Sequence, residues 1–214
     1  MVSSMKNYVI TIARGFGSGG KEIGNMLSEK LGIPCYEKQI PAMASEQSGL
    51  NESLFNHVDE KLRKHSIKTL LKNYPDTNKI VEPSAKKFVS DNNLFNIQAQ
   101  IIRELARTES CIVIGKCADV ILKNEDHVIS IYVEAPRRAC VASIMDKMCV
   151  DEAEANSLIY NTDKYRAKYY TYYSGGKKWT NPTNYDMTLN SDRVGRANCV
   201  EMVCAYLKLK GFIE

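Results

Sequence analysis

Gly15-Phe16-Gly17-Ser18-Gly19-Gly20-Lys21 follows directly on the run Tyr8-Val9-Ile10-Thr11-Ile12-Ala13, and reading the two stretches together decides the fold. The run is short and rich in β-branched residues, as a strand buried on both faces reads. Beyond the glycines, Ile23, Met26, Leu27 and Leu31 recur at helical spacing until Gly32 and Pro34 end the helix. Strand, glycine loop and helix thus follow one another within about 25 residues. The loop satisfies G-x-x-x-x-G-K. Its glycines let the backbone turn tightly and aim several N–H groups at one anion. The helix starting near Gly20 adds its positive end, and Lys21 brings an ammonium to the outer phosphates of a nucleotide. An ordinary strand-to-helix turn can carry the same letters. Its place between a first strand and an amphipathic helix makes phosphate binding the stronger reading. Gly15, Gly17, Ser18, Gly19, Gly20, Lys21 and Glu22 are therefore expected to hold the cofactor's phosphates.

The rest of the chain alternates in the same way. Leu94, Ile97, Ile101 and Leu105 predict a helix capped near Asp91–Asn93, leading into the strand Cys111–Ile114. A short helix over Cys117–Leu122 precedes the strand Val128–Val133, and Pro136 opens the next helix. Asp151 with Glu154 reads as a capping box for a helix running to about Tyr173. A last strand over Asp186–Asn190 and a C-terminal helix through Val200, Val203, Cys204 and Leu207 complete the series. Strands alternating with helices predict a parallel sheet covered on both faces. Residues from about 38 to 92 lack a clear strand, with helical patches in Leu50–Leu71 and a turn at Asn73–Asn78, so a helical insert over the sheet is expected. The whole of 1–214 reads as one such domain.

Composition excludes several classes. Seven scattered cysteines without a C-x-x-C pair argue against a disulfide framework or zinc site and fit a cytoplasmic setting. No stretch reaches the ~20 apolar residues of a membrane-spanning helix, and Met1–Ala13 shows no secretory leader pattern, so no membrane partner is expected. A net charge of +4 suits a phosphate-bearing small molecule and is too small to argue for nucleic acid. A homodimer is allowed, since nothing in the sequence decides oligomeric state.

Five stretches together are more specific than the loop: Ala13–Gly24 (ARGFGSGGKEIG), Leu31–Tyr36 (LGIPCY), Ile114–Asp119 (IGKCAD), Asp163–Tyr173 (DKYRAKYYTYY) and Trp179–Asn190 (WTNPTNYDMTLN). On these the chain resembles the bacterial cytidylate kinase-like family over most of its length. The resemblance implies a three-layer α/β/α P-loop NTPase fold and ATP- and Mg²⁺-dependent phosphorylation of a nucleoside monophosphate such as CMP. It implies that Lys116 and Asp119 contact the acceptor nucleotide. It also implies that Asp163 and Arg166, which share a helix face, serve base recognition and the charge of the transferring phosphoryl group. Lys21 and Arg166 are the expected catalytic residues. Without a ligand, Asp163 and Arg166 also read as an intrahelical ion pair, and Lys116 and Asp119 as the decoration of a helix start.

The pattern departs from the family at several points. Glu22 stands where a metal-ligating hydroxyl follows the lysine, Ile114 where an acid precedes the glycine, and Cys140 and Ser143 where arginines face the donor phosphates. No protein metal ligand is assigned. The expected function is therefore a phosphotransferase acting on small-molecule nucleotides. The departures keep open a nucleotide-binding sensor with little turnover, and the basic insert a weaker RNA-binding reading. The tyrosines Tyr165–Tyr173 with Trp179 read as packing, their hydroxyls toward water, ahead of base stacking.

Overall fold

The computed structural model describes residues 7–55, 80 and 89–214. Five parallel strands, β1 (Val9–Arg14), β2 (Cys35–Tyr36), β3 (Cys111–Ile114), β4 (Val128–Glu134) and β5 (Met187–Asn190), lie in the order β2-β3-β1-β4-β5. β1 is central, pairing Val9 with Cys111 on one side and with Val128 on the other. The chain therefore leaves the middle of the sheet at Arg14, with neighbours on both flanks, and enters the glycine loop there. In parallel α/β sheets ligands gather at this carboxyl end, where the strand order reverses direction.

Side-chain alternation divides the core between the two faces. Ile10, Ile12, Ile112, Ile114, Ile129, Ile131 and Val133 pack against α1 (Gly20–Leu31) and the C-terminal α8 (Arg196–Leu209). The opposite face, with Val9, Ala13, Cys111, Val113 and Tyr132, meets α2 (Gln39–Ser48), α3 (Asp91–Thr108), the short α4 (Ala118–Ile121) and the end of α6 (Glu152–Tyr173). α5 (Arg137–Met148) and the start of α6 form a hairpin with its own small core of Cys140, Val141, Ile144, Ala155 and Ile159, joined by Phe16 of the glycine loop. α7 (Ser191–Val194) links β5 to α8. This is the three-layer arrangement that the alternating pattern predicts. No described helix is long and apolar enough to cross a membrane.

Several local expectations change. β2 is a two-residue edge strand that sequence does not signal, bonded only to β3. The cap of α3 is Ser90, whose hydroxyl accepts from the Asn93 N–H, not the Asp91–Asn93 stretch. Asp151 does cap α6, accepting from the Glu154 N–H at 2.8 Å. The tyrosine hydroxyls do not all turn to water: Tyr170 donates to Asp119 and Tyr172 to Asn92. The predicted turn at Asn73–Asn78 and most of the helical patches in Leu50–Leu71 lie outside the described residues.

Phe95 of α3 locks this face, 1% exposed and stacked on Tyr173 of α6 at 3.6 Å between ring centroids. Phe95→Ala removes the ring and leaves a cavity, and it is expected to cost about 3–5 kcal/mol, read as a lowered midpoint of denaturant unfolding with little change in slope.

Candidate functional site

The glycine loop has the conformation its sequence demands. Gly17 and Gly19 lie at φ +87° and +83°, and a Cβ on Gly17 would come within 2.7 Å of the Cys140 carbonyl oxygen. α5 therefore packs directly on the loop, and Cys140, 3% exposed, serves that contact. Gly15 is similarly crowded by the Glu134 carboxylate at the end of β4, 2.5 Å from where its Cβ would be. The Ser18 hydroxyl is buried and donates to the carbonyls of Gly15 and Val133, 2.8 and 3.0 Å away, tying the loop to β4.

Two side chains of α6 brace the loop's start. Asp163 Oδ1 accepts the Phe16 N–H at 2.8 Å, and Arg166 Nη1 donates to the Arg14 carbonyl at 3.0 Å with its guanidinium 5.4 Å from the Phe16 ring centroid. The pair share a helix face, 3.7 Å apart. Asp163 is thus directed at the phosphate loop through Oδ1. Burial raises its pKa, partly offset by the Phe16 N–H and Arg166. Burial, followed by the neighbouring Arg14, lowers the Arg166 pKa to about 10.

Beside the loop opens a cleft of about 530 Å³, walled by Arg14, Glu37, Lys116, Asp119, Arg166 and aromatic rings including Tyr165 and Trp179. Its floor is the turn after β3, where Gly115, Lys116 and Cys117 all take left-handed conformations, at φ 73°, 56° and 53°. For two of the three this is strained, and such strain gathers where a site must be shaped. Gly115 cannot be replaced cheaply, because L side chains rarely adopt its φ of +73°, and a Cβ there would also displace the Arg14 guanidinium. At the far wall Tyr170 donates to Asp119 Oδ2 at 2.7 Å, yet burial still pushes the Asp119 carboxyl up to about 6.

Cleft and loop meet at Glu37, just past β2. Its Oε1 lies 2.6 Å from Arg14 Nη2 and its Oε2 2.6 Å from Lys21 Nζ. Burial alone would raise its pKa, but Lys21 and Arg14 outweigh that and hold the carboxyl below its ordinary value.

Of the residues singled out from sequence, Gly15–Lys21 form one loop, Lys116, Asp119 and Arg166 line one cleft, and Asp163 turns to the loop. Glu22 is ion-paired with Lys147 of α5. Sequence reading missed Arg14 and Glu37. Adjacency to the loop was the only signal for Arg14, and Glu37 follows a strand too short to read.

Residues 9–193 match the cytidylate kinase-like family. Among solved structures, an uncharacterized protein from Eubacterium ventriosum is similar at 22% identity and a TM-score of 0.67, over 94% of this chain and 99% of that one. Shikimate kinase from Bacteroides thetaiotaomicron is similar at 13% identity and a TM-score of 0.50, over 94% and 98%. At these identities the likeness shows the fold alone, that of P-loop kinases. No curated protein matches the sequence.

The Asp119 carboxyl offers a test of the cleft. Its folded pKa of about 6 lies above the ordinary value of 3.8, so between these values the folded chain binds more protons than the unfolded one. Stability owed to this group therefore falls as pH rises from about 4 to 6. Asp119→Asn keeps an acceptor for Tyr170 and removes the titration, so it should gain on the order of 2–3 kcal/mol relative to wild type across that window, measured by denaturant unfolding at pH 4 and 7.

Proposed function

The chain belongs to the cytidylate kinase-like family, and we propose that it is an ATP-dependent phosphotransferase whose acceptor is a nucleoside monophosphate of the CMP type. One observation carries this reading: the lysine of a phosphate loop and the arginine of an adjoining cleft converge on a single carboxylate, Glu37. The point where donor and acceptor phosphates would meet is thus built from both sides. Donor phosphates rest on the N–H groups of Gly15–Lys21, and the acceptor lies in the cleft with its own phosphate toward Arg14 and Arg166. An acceptor oxygen attacks the γ-phosphorus, the bond to the bridging oxygen of ADP breaks, and that oxygen takes the electron pair. Lys21 and Arg166 neutralise charge on the transferring group. Positioning and electrostatics of this kind supply most of the catalysis of phosphoryl transfer. Asp163 and Arg166 hold the loop's first residues, and the α5–α6 hairpin packs on the loop through Phe16.

Magnesium fits this site in a limited way. Among the described residues no group of three or more acidic, histidine or cysteine side chains could hold a metal by itself. The phosphate-bound ion of kinases needs only one or two carboxylates with water and phosphate oxygens. Glu37, beside Lys21, Glu134, beside Gly15, and Asp163, on the Phe16 N–H, are acids in reach of the loop. The ion would neutralise phosphate charge there.

A second reading, a nucleotide-binding sensor with little turnover, draws on Glu22 and Cys140. The first pairs with Lys147 where a metal-ligating hydroxyl is usual, and the second packs on Gly17 where an arginine is usual. Coupled ADP release with Mg·ATP against a panel of nucleoside monophosphates separates the two. The kinase reading expects acceptor-dependent turnover, led by a cytidine nucleotide, that falls about 10²-fold or more in both Lys21→Ala and Arg166→Ala. Wild-type turnover no higher than that of Lys21→Ala, with nucleotide still bound, selects the sensor.

A further inference from the structure

We infer that Glu37 is an internal anion occupying the place between Arg14 and Lys21, and that this place is a phosphate subsite which incoming phosphate must take from it. The inference rests on the phosphotransferase reading only for the identity of the incoming phosphate. Three observations carry it.

The first is the bridge. One carboxylate spends one oxygen on a cation of the cleft and the other on the cation of the loop, at 2.6 Å each. A tetrahedral phosphate presents oxygens to two such cations in the same way. The second is the local balance of charge. Arg14, Lys21 and Arg166 gather at the loop's start, while Asp163 is turned to the Phe16 N–H, so Glu37 is the carboxylate set between Arg14 and Lys21. The third is the ease of exchange. The Lys21 side chain is 48% exposed, so its ammonium is open to solvent and to an incoming anion. Arg14 is less exposed, at 15%, and its guanidinium occupies the space that a Cβ on Gly115 would take. Glu37 itself directly follows the edge strand β2, which is bonded on one side only. Lys21 can turn to a phosphate while Glu37 remains neutralised by Arg14.

Donor phosphates therefore compete with Glu37 for Lys21, and an anionic acceptor competes with it for Arg14. Either ligand alone leaves Glu37 on the other cation, and only both together vacate the subsite. The device penalises binding of the donor by itself, which is the state that would otherwise hydrolyse ATP without an acceptor.

Isothermal titration of ADP, and separately of pyrophosphate, into the full chain without divalent metal tests this directly. Glu37→Gln keeps the size of the side chain and removes its charge, and should tighten both ligands about three- to tenfold, the scale of a partly buried ion pair. Glu37→Asp, which keeps the charge but is too short to bridge both cations, should tighten them less. In a Lys21→Ala background the gain from Glu37→Gln should shrink toward none. Unchanged or weaker binding in Glu37→Gln, with an unfolding midpoint like wild type, overturns the inference, as does a gain that survives intact without Lys21. If wild type binds neither ligand, the phosphate loop reading falls first and takes the subsite with it.

Discussion

Concentrated positive charge at the end of β1 is the constraint around which the rest of the molecule is arranged. The loop after Arg14 turns backbone N–H groups toward one point, α1 adds its positive end, and Lys21, Arg14 and Arg166 add three formal cations. Held together without an anion, such groups repel one another. The chain answers with carboxylates: Glu37 between Arg14 and Lys21, Asp163 at the Phe16 N–H, and Glu134 against Gly15. The lowered pKa values of Arg14 and Arg166 have burial as their largest cause, and Arg166 also feels its neighbour Arg14. Charge of one sign kept in a cleft in spite of its cost is the pattern of a site that binds the opposite sign.

The fold supplies the rigidity that this arrangement needs. β1 is bonded along both edges and β4 reaches as far as Glu134, so the loop departs from the stiffest part of the sheet. Two anchors then fix the loop from the sides. Ser18 binds it to β4, and Phe16 enters the small core of the α5–α6 hairpin. The cleft's other walls come from α6 and from the turn after β3, with β2 and Glu37 at the edge. The loop is thereby anchored on several sides, whereas the cleft's outer edge rests on β2, which is bonded to β3 alone.

How much of this could be read from sequence depends on whether the signal is local. The loop, α1 and the alternation of strands and helices are legible because glycine spacing and 3.6-residue periodicity are properties of neighbouring residues. The joint face of Asp163 and Arg166 is legible for the same reason, since residues three apart on a helix must be neighbours. What that face meets is not. Asp163 could as well have faced an acceptor base, and only the packing of α6 across the sheet's end sets it on Phe16. Glu37 is harder still: it follows a two-residue strand with no periodicity, and its meaning comes from Arg14 and Lys21, which only the tertiary fold brings to it. The tyrosines of α6 pack in the core as read, and only the placing of their hydroxyls is misread in the same way. Their hydroxyls find Asp119 and Asn92, partners from distant segments.

The central claim is that the loop and the cleft form one phosphoryl-transfer site. The most direct test follows the γ-phosphorus itself, with ATP labelled in that group incubated with the chain and a pyrimidine nucleoside monophosphate. The account predicts that the label leaves ATP only when acceptor is present and appears in a nucleoside diphosphate. Label released as inorganic phosphate irrespective of acceptor, or retained in ATP throughout, would contradict it.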